Sequence, residues 1–270
     1  MNTEELEHQI AKYNFYHIIK LTDSIYTPGN PIYVPAQQLF LDHLKALNLA
    51  DKRVLDIGCR DGLFSFAAEQ GGAAKVIGID NDLSPAATEF LIPYFKSQVN
   101  LVQMNLYELS PKSFGLFDVV LFPGVLYHLR YPFWALKTIR DVLEPGGHLL
   151  IETAMLQGEK HNAMLFCPIG EDSPYEPTSC SFFNEKGLRD TLTSLGFNII
   201  QLQFLSSRSG FRYRKKAMNW LKTCLSGGHH PPHRNVVRCV IHAMYQGLDR
   251  NHRYYRYWEE THTIHSTNVK

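Results

Sequence analysis

The run RVLDIGCRDGLFSF, residues 53–66, places Asp56, Gly58 and Gly62 where a strand passes through a turn into a helix. That arrangement suits a nucleotide. Gly58 allows a sharp bend and close backbone approach to a ligand. A helix opening near Gly62 presents free N–H groups and the positive end of its dipole. Asp56 is placed to bond a ligand ammonium or an ordered water. Cys59 and Arg60 lie inside the turn, and Arg60 fills the middle slot of the glycine pattern. A degenerate glycine loop is by itself a weak signal.

The following segments strengthen it. KVIGID ends in Asp80, 22 positions after Gly58. A carboxylate at the tip of the adjacent strand accepts hydrogen bonds from ribose hydroxyls. A helix cap or turn residue is the alternative for Asp80, and Asn81 follows it directly. In VQMNLYEL, Asn105 falls where an adenine amino group needs an acceptor, flanked by Met104 and Leu106. Its alternative is a loop cap. In FDVVLFPGVLYHLRYP, Pro123 and Gly124 break a strand and open a loop carrying Tyr127 and His128. His128, with an ordinary pKa near neutral, is the best-placed general base. Its alternative is a histidine packed under the loop and bonded to backbone. Glu152, at the end of LLIET, reaches the same edge and either orients an acceptor or pairs with a cation.

These residues need a scaffold. Short, almost wholly apolar runs at 53–57, 75–79, 99–103, 117–122 and 148–152 read as strands buried on both faces. Helical segments at about 62–71, 84–96, 132–143 and 185–195 separate most of them. Pro132 suits a helix start, and EPGG (144–147) reads as that helix's glycine stop. Two late strands, 197–205 and 234–246, suggest an antiparallel edge hairpin. Ahead of the core, residues 2–17 and 36–47 read as amphipathic helices, and the prolines of IYTPGNPIYVP (25–35) exclude regular structure between them. The expected fold is α/β: a Rossmann-like, doubly wound seven-stranded sheet, mostly parallel with an antiparallel edge hairpin, plus N- and C-terminal extensions. The division is a helical cap over 1–50, a core over 51–205, a basic insertion over 206–233, the last core strand over 234–246 and a basic, aromatic lid over 247–270.

Composition narrows the class. With 270 residues and 44% hydrophobic residues, the chain suits one large globular domain with appendages. No run reaches the roughly 18 apolar residues of a membrane span, and MNTEELEHQI is too acidic for a secretory signal. Cys59, Cys167, Cys180, Cys224 and Cys239 show no paired spacing and read as reduced thiols of a cytoplasmic protein. The charge is uneven: from residue 206 onward, 12 Lys and Arg face 3 Asp and Glu. Such a tail faces an anionic substrate or nucleic acid, or is a solvated surface. The histidines of HHPPH (His229, His230, His233) cannot share a helix face and lack a partner ligand, so no metal is expected.

DIGCRDG, VIGID, FDVVLFPGVLYHL and LEPGGHLLIET, in this order, resemble the class I S-adenosylmethionine (SAM) dependent methyltransferases over about residues 35–205. More narrowly, GVLYHLRYP with LEPGGHLLIETA is similar to the branch containing the tRNA wobble-uridine carboxymethyltransferases. The resemblance implies that Asp56, Gly58 and Gly62 surround the methionine part of SAM. It places Asp80 at the ribose and Met104, Asn105 and Leu106 at the adenine. It puts Tyr127 at the tyrosine that helps bind the extra carboxylate of carboxy-SAM in the tRNA enzymes.

Two departures matter. Arg60 replaces a glycine; at negative φ it leaves binding intact, and its guanidinium can point at a carboxylate of cofactor or substrate. The stretch IYTPGNPIYVPAQQ has neither the tryptophan nor the lysine of the tRNA enzymes, and most of their long N-terminal region has no counterpart. The expectation is therefore ordinary SAM and in-line O-methylation of a small-molecule hydroxyl, with alignment supplying several kcal/mol, up to about 10. The alternatives are a tRNA wobble-uridine (carboxy)methyltransferase and a non-catalytic binding module of the same fold. No membrane partner is expected, and the oligomeric state stays open.

Overall fold

The computed structural model describes residues 2–206, 236–248 and 254–259. Its centre is a seven-stranded sheet in the order β3-β2-β1-β4-β5-β9-β8. The strands are β1 (Arg53–Ile57), β2 (Lys75–Asp80), β3 (Asn100–Gln103), β4 (Phe117–Pro123), β5 (Leu143–Leu156), β8 (Phe197–Phe204) and β9 (Val236–Tyr245). The first five run parallel, and β9 pairs antiparallel with both β5 and β8. A small separate ladder joins β6 (Leu165–Phe166) to β7 (Phe182–Phe183).

Four of the five apolar runs form strands covered on both faces; β3, at the sheet edge, is only partly buried, contrary to expectation. Val54, Val119 and Leu121 enter one core, while the alternating Leu55, Val120 and Phe122 enter the other. The first core lies under α1 (Thr3–Ile10), α2 (Val34–Lys45) and α3 (Leu63–Gln70). It also takes in a wide helical turn, Ala86–Leu91, that leads into α4 (Ile92–Phe95). The second core is closed by α6 (Pro132–Asp141) and α7 (Glu185–Ser194), with the short α5 (Pro111–Phe114) at its rim. Chain order reverses between β1 and β4, which leaves a crevice at their carboxyl ends.

Several boundaries differ from the sequence reading. EPGG does not stop α6, which ends at Asp141; it lies inside β5. There the register against β4 shifts between Phe117 and Val119. A side chain at Gly147 would meet the carbonyl oxygens of Glu144 at 2.8 Å and Asp118 at 3.0 Å, so this glycine permits a close strand approach rather than a helix cap. α1 covers only Thr3–Ile10, and α2 starts at Val34, inside the proline-rich stretch, after a 3-10 turn at Pro31–Tyr33. Asn30 caps that turn and Pro31 is preorganised for it.

Between α1 and α2 the chain folds into a tight knot. Thr27 Oγ1 accepts from Ile19 N (2.7 Å) and donates to the His17 carbonyl (2.6 Å). Gly29 packs directly on the His17 backbone, where a Cβ would come within 2.2 Å. At the other terminus, α8 (Tyr255–Glu259) docks on α6 and α7. The Trp258 indole N–H donates to Ser194 Oγ at 3.1 Å, and Glu259 pairs with Arg140. No helix among the described residues is long and apolar enough to cross a membrane. His229, His230, His233, Cys224 and most of the basic insertion lie outside the described residues.

Candidate active site

A cavity of about 740 Å³ opens at the carboxyl ends of β1, β2 and β4, within the range of small-molecule and cofactor sites. One wall is the first turn of the core. Gly58 stands at φ +78°, and a Cβ there would strike Val125 Cγ2 at 2.3 Å. Only glycine leaves the backbone open at this point. Asp80 closes β2 half-buried; its Oδ2 accepts from Arg60 N (2.9 Å) and its Oδ1 from Asp82 N (2.8 Å). These bonds fix the carboxylate and leave further lone pairs for ribose hydroxyls. Met104, Asn105 and Leu106 follow β3 along the same wall, with Asn81 beside them. Asn105 also caps a 3-10 turn, accepting from Tyr107 N at 3.0 Å. Its cap role and its place in the cavity coexist.

Three residues of the expected cofactor set do not line the cavity. Asp56 and Cys59 are fully buried. Asp56 accepts the Ser65 hydroxyl at 2.6 Å, and burial pushes its carboxyl up to about 7, with Ser65 pulling the other way. Through that bond it braces α3, while its Oδ1 has no partner. Burial likewise raises the Cys59 thiol far above its ordinary value, so the group is inert. Gly62, at φ +80°, shapes the start of α3 without reaching the cavity.

Arg60 corrects the sequence reading most directly. Its φ is +45°, not negative. Its guanidinium turns to Asp82, donating to the carbonyl oxygen at 2.7 Å and pairing with the carboxylate. It lines the cavity without blocking it, and its charge is already matched.

The opposite wall carries the polar chemistry. His128 sits on the 3-10 turn after β4 with Nδ1 3.4 Å from the Thr178 carbonyl and Nε2 3.3 Å from Glu176 Oε1. Burial lowers its pKa, against the pull of Thr178 and Glu176, so the neutral imidazole is favoured near pH 7. Tyr127 is buried beneath this turn, and its hydroxyl accepts from Arg238 Nη1 at 3.0 Å. Glu152 lines the cavity and grips Arg238 through two paired bonds.

Arg238 escaped the sequence reading. It lies on β9, donates to the Tyr175 hydroxyl at 2.7 Å, and stacks 5.0 Å over the Tyr127 ring. Burial opposes its charge, but Glu152 holds its pKa well above the ordinary value. The available signal was a lone arginine in the apolar run VVRCVI, because a buried cation requires a buried partner. Asp61 was also missed. It is 1% exposed, and its Oδ2 accepts two successive cap amides, Tyr16 N at 2.5 Å and His17 N at 2.8 Å. Through Asp61 the N-terminal segment is anchored to the Gly58–Gly62 loop, and Tyr16, His17 and Gln37 form part of the cavity wall.

The doubly wound sheet, the Gly58 turn and the Asp80–Asn105 wall have the arrangement of a nucleoside-binding site at the switch point of an α/β sheet. A family model described as a methyltransferase domain matches residues 35–202, and the chain belongs to that family. Among curated proteins, tRNA U34 carboxymethyltransferase of Methylococcus capsulatus is 33% identical over 150 residues, 52% of this chain and 46% of that protein. The enzyme of that name from Geobacter sp. is 34% identical over 132 residues, 48% of this chain and 39% of its own. The chain thus matches less than half the length of these relatives. Among solved structures, the N-terminal domain of EvdMO1 with SAH bound covers 91% of this chain and 98% of its own, at TM-score 0.62 and 16% identity. The [4+2]-cyclase SpnF covers 90% and 92%, at TM-score 0.56 and 17% identity. These two likenesses establish the fold alone, and SpnF illustrates that the fold does not fix the reaction.

Proposed function

We propose that the chain is a SAM-dependent methyltransferase that methylates an oxygen of its acceptor. One observation carries this reading: a single cavity joins the Gly58–Asp80–Asn105 wall to the His128–Glu152–Arg238 wall. Bound SAM supplies a methyl group already activated on a sulfonium. Gly58 lets the cofactor lie close to the backbone, Asp80 holds the ribose, and Met104, Asn105 and Leu106 hold the adenine. His128, neutral near pH 7, is the base that takes the acceptor proton from the cavity it lines. Tyr127 acts from beneath by fixing Arg238.

The first reading of the acceptor is a small hydroxylated molecule. Tyr16, His17 and Gln37 roof the cavity, which suits a compact ligand. Both arginines among the described lining residues are already paired, Arg60 with Asp82 and Arg238 with Glu152, so neither charge is free for the extra carboxylate of carboxy-SAM. The second reading is a tRNA wobble uridine. The names of the curated relatives favour it over the first, and the Tyr127–Arg238 contact supports it. A non-catalytic module would follow if Arg60 closed the cofactor loop, and Arg60 leaves the cavity open.

Incubation with methyl-labelled SAM, against a panel of small hydroxylated acceptors and against tRNA unmodified at the wobble position, tests this order. Label in a small acceptor supports the first reading. Label in tRNA alone replaces it with the second. Label in neither, from protein that binds S-adenosylhomocysteine, points to the non-catalytic module.

A further inference from the structure

Gln37 sits on the first turns of α2, is 9% exposed, and lines the cavity. Its amide nitrogen is shut off from solvent and has no hydrogen-bond partner. A buried amide without partners is costly to the free protein. An unbonded amide also turns about its terminal torsion at little cost, so either end can meet a ligand.

The location of Gln37 indicates which ligand it meets. Phe40, one turn further along α2, packs against Phe64 at 4.7 Å between ring centroids, and Phe64 belongs to the first turn of α3, just past Gly62. α2 also packs on β5 and β9. A cofactor laid across the strand ends has its adenine at β3 and its ribose at Asp80 on β2. Past Gly58 on β1, its amino-acid end arrives under α2. That zwitterionic end needs polar partners. Asp56, the core residue expected to serve it, is fully buried off the cavity lining, with one carboxylate oxygen bonded to Ser65 and the other unpaired.

We infer that the Gln37 amide binds the amino-acid end of the cofactor, so that the N-terminal cap completes the cofactor site as well as roofing the acceptor. This rests on the SAM reading. Asp61 supports it by anchoring the cap to the cofactor loop through Tyr16 N and His17 N. The orphan amide is then a group that costs the free protein stability and is satisfied only on binding.

The test uses two ligands that share adenosine and a thioether: S-adenosylhomocysteine, and 5′-methylthioadenosine, which lacks the amino-acid end. Both are titrated calorimetrically into the full chain and its Gln37→Leu and Gln37→Met variants. The expected result is an affinity loss of about ten- to hundredfold for S-adenosylhomocysteine, the span of a hydrogen bond to a charged group. Affinity for 5′-methylthioadenosine stays within about twofold, and the melting temperature of the ligand-free variants holds or rises. Unchanged S-adenosylhomocysteine affinity overturns the inference. Equal loss for both ligands also overturns it, because Gln37 is then structural. If the unsubstituted chain binds neither ligand, the SAM reading itself fails.

Discussion

Arg238 and Glu152 stand diagonally on one face of the β5–β9 ladder, Arg238 opposite Ala154 and Glu152 opposite Val240, and close a two-pronged ion pair across it. The side chains are 14% and 4% exposed, so neither charge is tolerable alone. Arg238→Ala leaves the Glu152 carboxylate buried and unpaired, and is expected to cost about 3–5 kcal/mol in urea denaturation. The double variant Glu152→Gln, Arg238→Met removes both charges and recovers most of that loss. A double variant no more stable than Arg238→Ala contradicts this account of the pair.

Arg60 holds a left-handed backbone at φ +45°, which glycine adopts without strain. Arg60→Gly relieves about 1 kcal/mol or more of backbone strain. It gives up a largely exposed pair with Asp82 that is worth little. The variant should melt at or above the temperature of the unsubstituted chain and bind S-adenosylhomocysteine equally well. A large affinity loss in Arg60→Gly would show that the side chain reaches the cofactor.

His148 Nδ1 and His242 Nε2 lie 2.9 Å apart between β5 and β9. Burial, with His148 and His43 adding repulsion, lowers His242 from 6.5 to about 4. Across that window the unfolded chain takes up a proton that the native state refuses. Stability therefore falls as pH drops from about 6.5 to about 4, and levels off below. His242→Phe should flatten the slope of denaturant stability against pH over that range. An unchanged slope contradicts the assignment.

Asp61 accepts both cap amides with a carboxylate whose pKa is held below the ordinary value. Burial opposes the shift, and the bonds from His17, with Ser84, outweigh it. Asp61→Ala removes their shared acceptor. Hydrogen exchange at Tyr16 and His17 should accelerate strongly, while amides in β1 and β4 keep their protection. Uniform acceleration would mean that Asp61 supports the whole fold rather than the cap.

Most of the parallel strands were legible because double burial leaves an unbroken apolar run, as Val54–Leu55 and Val119–Phe122 show; the edge strand β3 is only partly buried. That Gly58, Asp80 and Asn105 share one cavity was legible because each lies at or just past the end of a parallel strand, where an α/β sheet binds its ligands. That Asp56 lies off the cavity lining was not legible, because a carboxylate at the end of an apolar strand reads the same whether it faces the cavity or Ser65. EPGG misled because a strand bulge and a helix stop use the same glycines. Arg238 and Asp61 were hidden for a different reason. Their partners, Glu152 and the Tyr16–His17 backbone, lie 86 and 44–45 residues away, and only the closed fold brings them together.

Calorimetric titration of the full chain with SAM and, separately, with carboxy-SAM tests the central claim most directly. The paired state of Arg238 and of Arg60 predicts micromolar binding of SAM and a clear preference for it over the carboxylated form. Preference for carboxy-SAM would contradict the ordinary methyl donor and restore the tRNA reading. Binding of neither would contradict the methyltransferase activity itself.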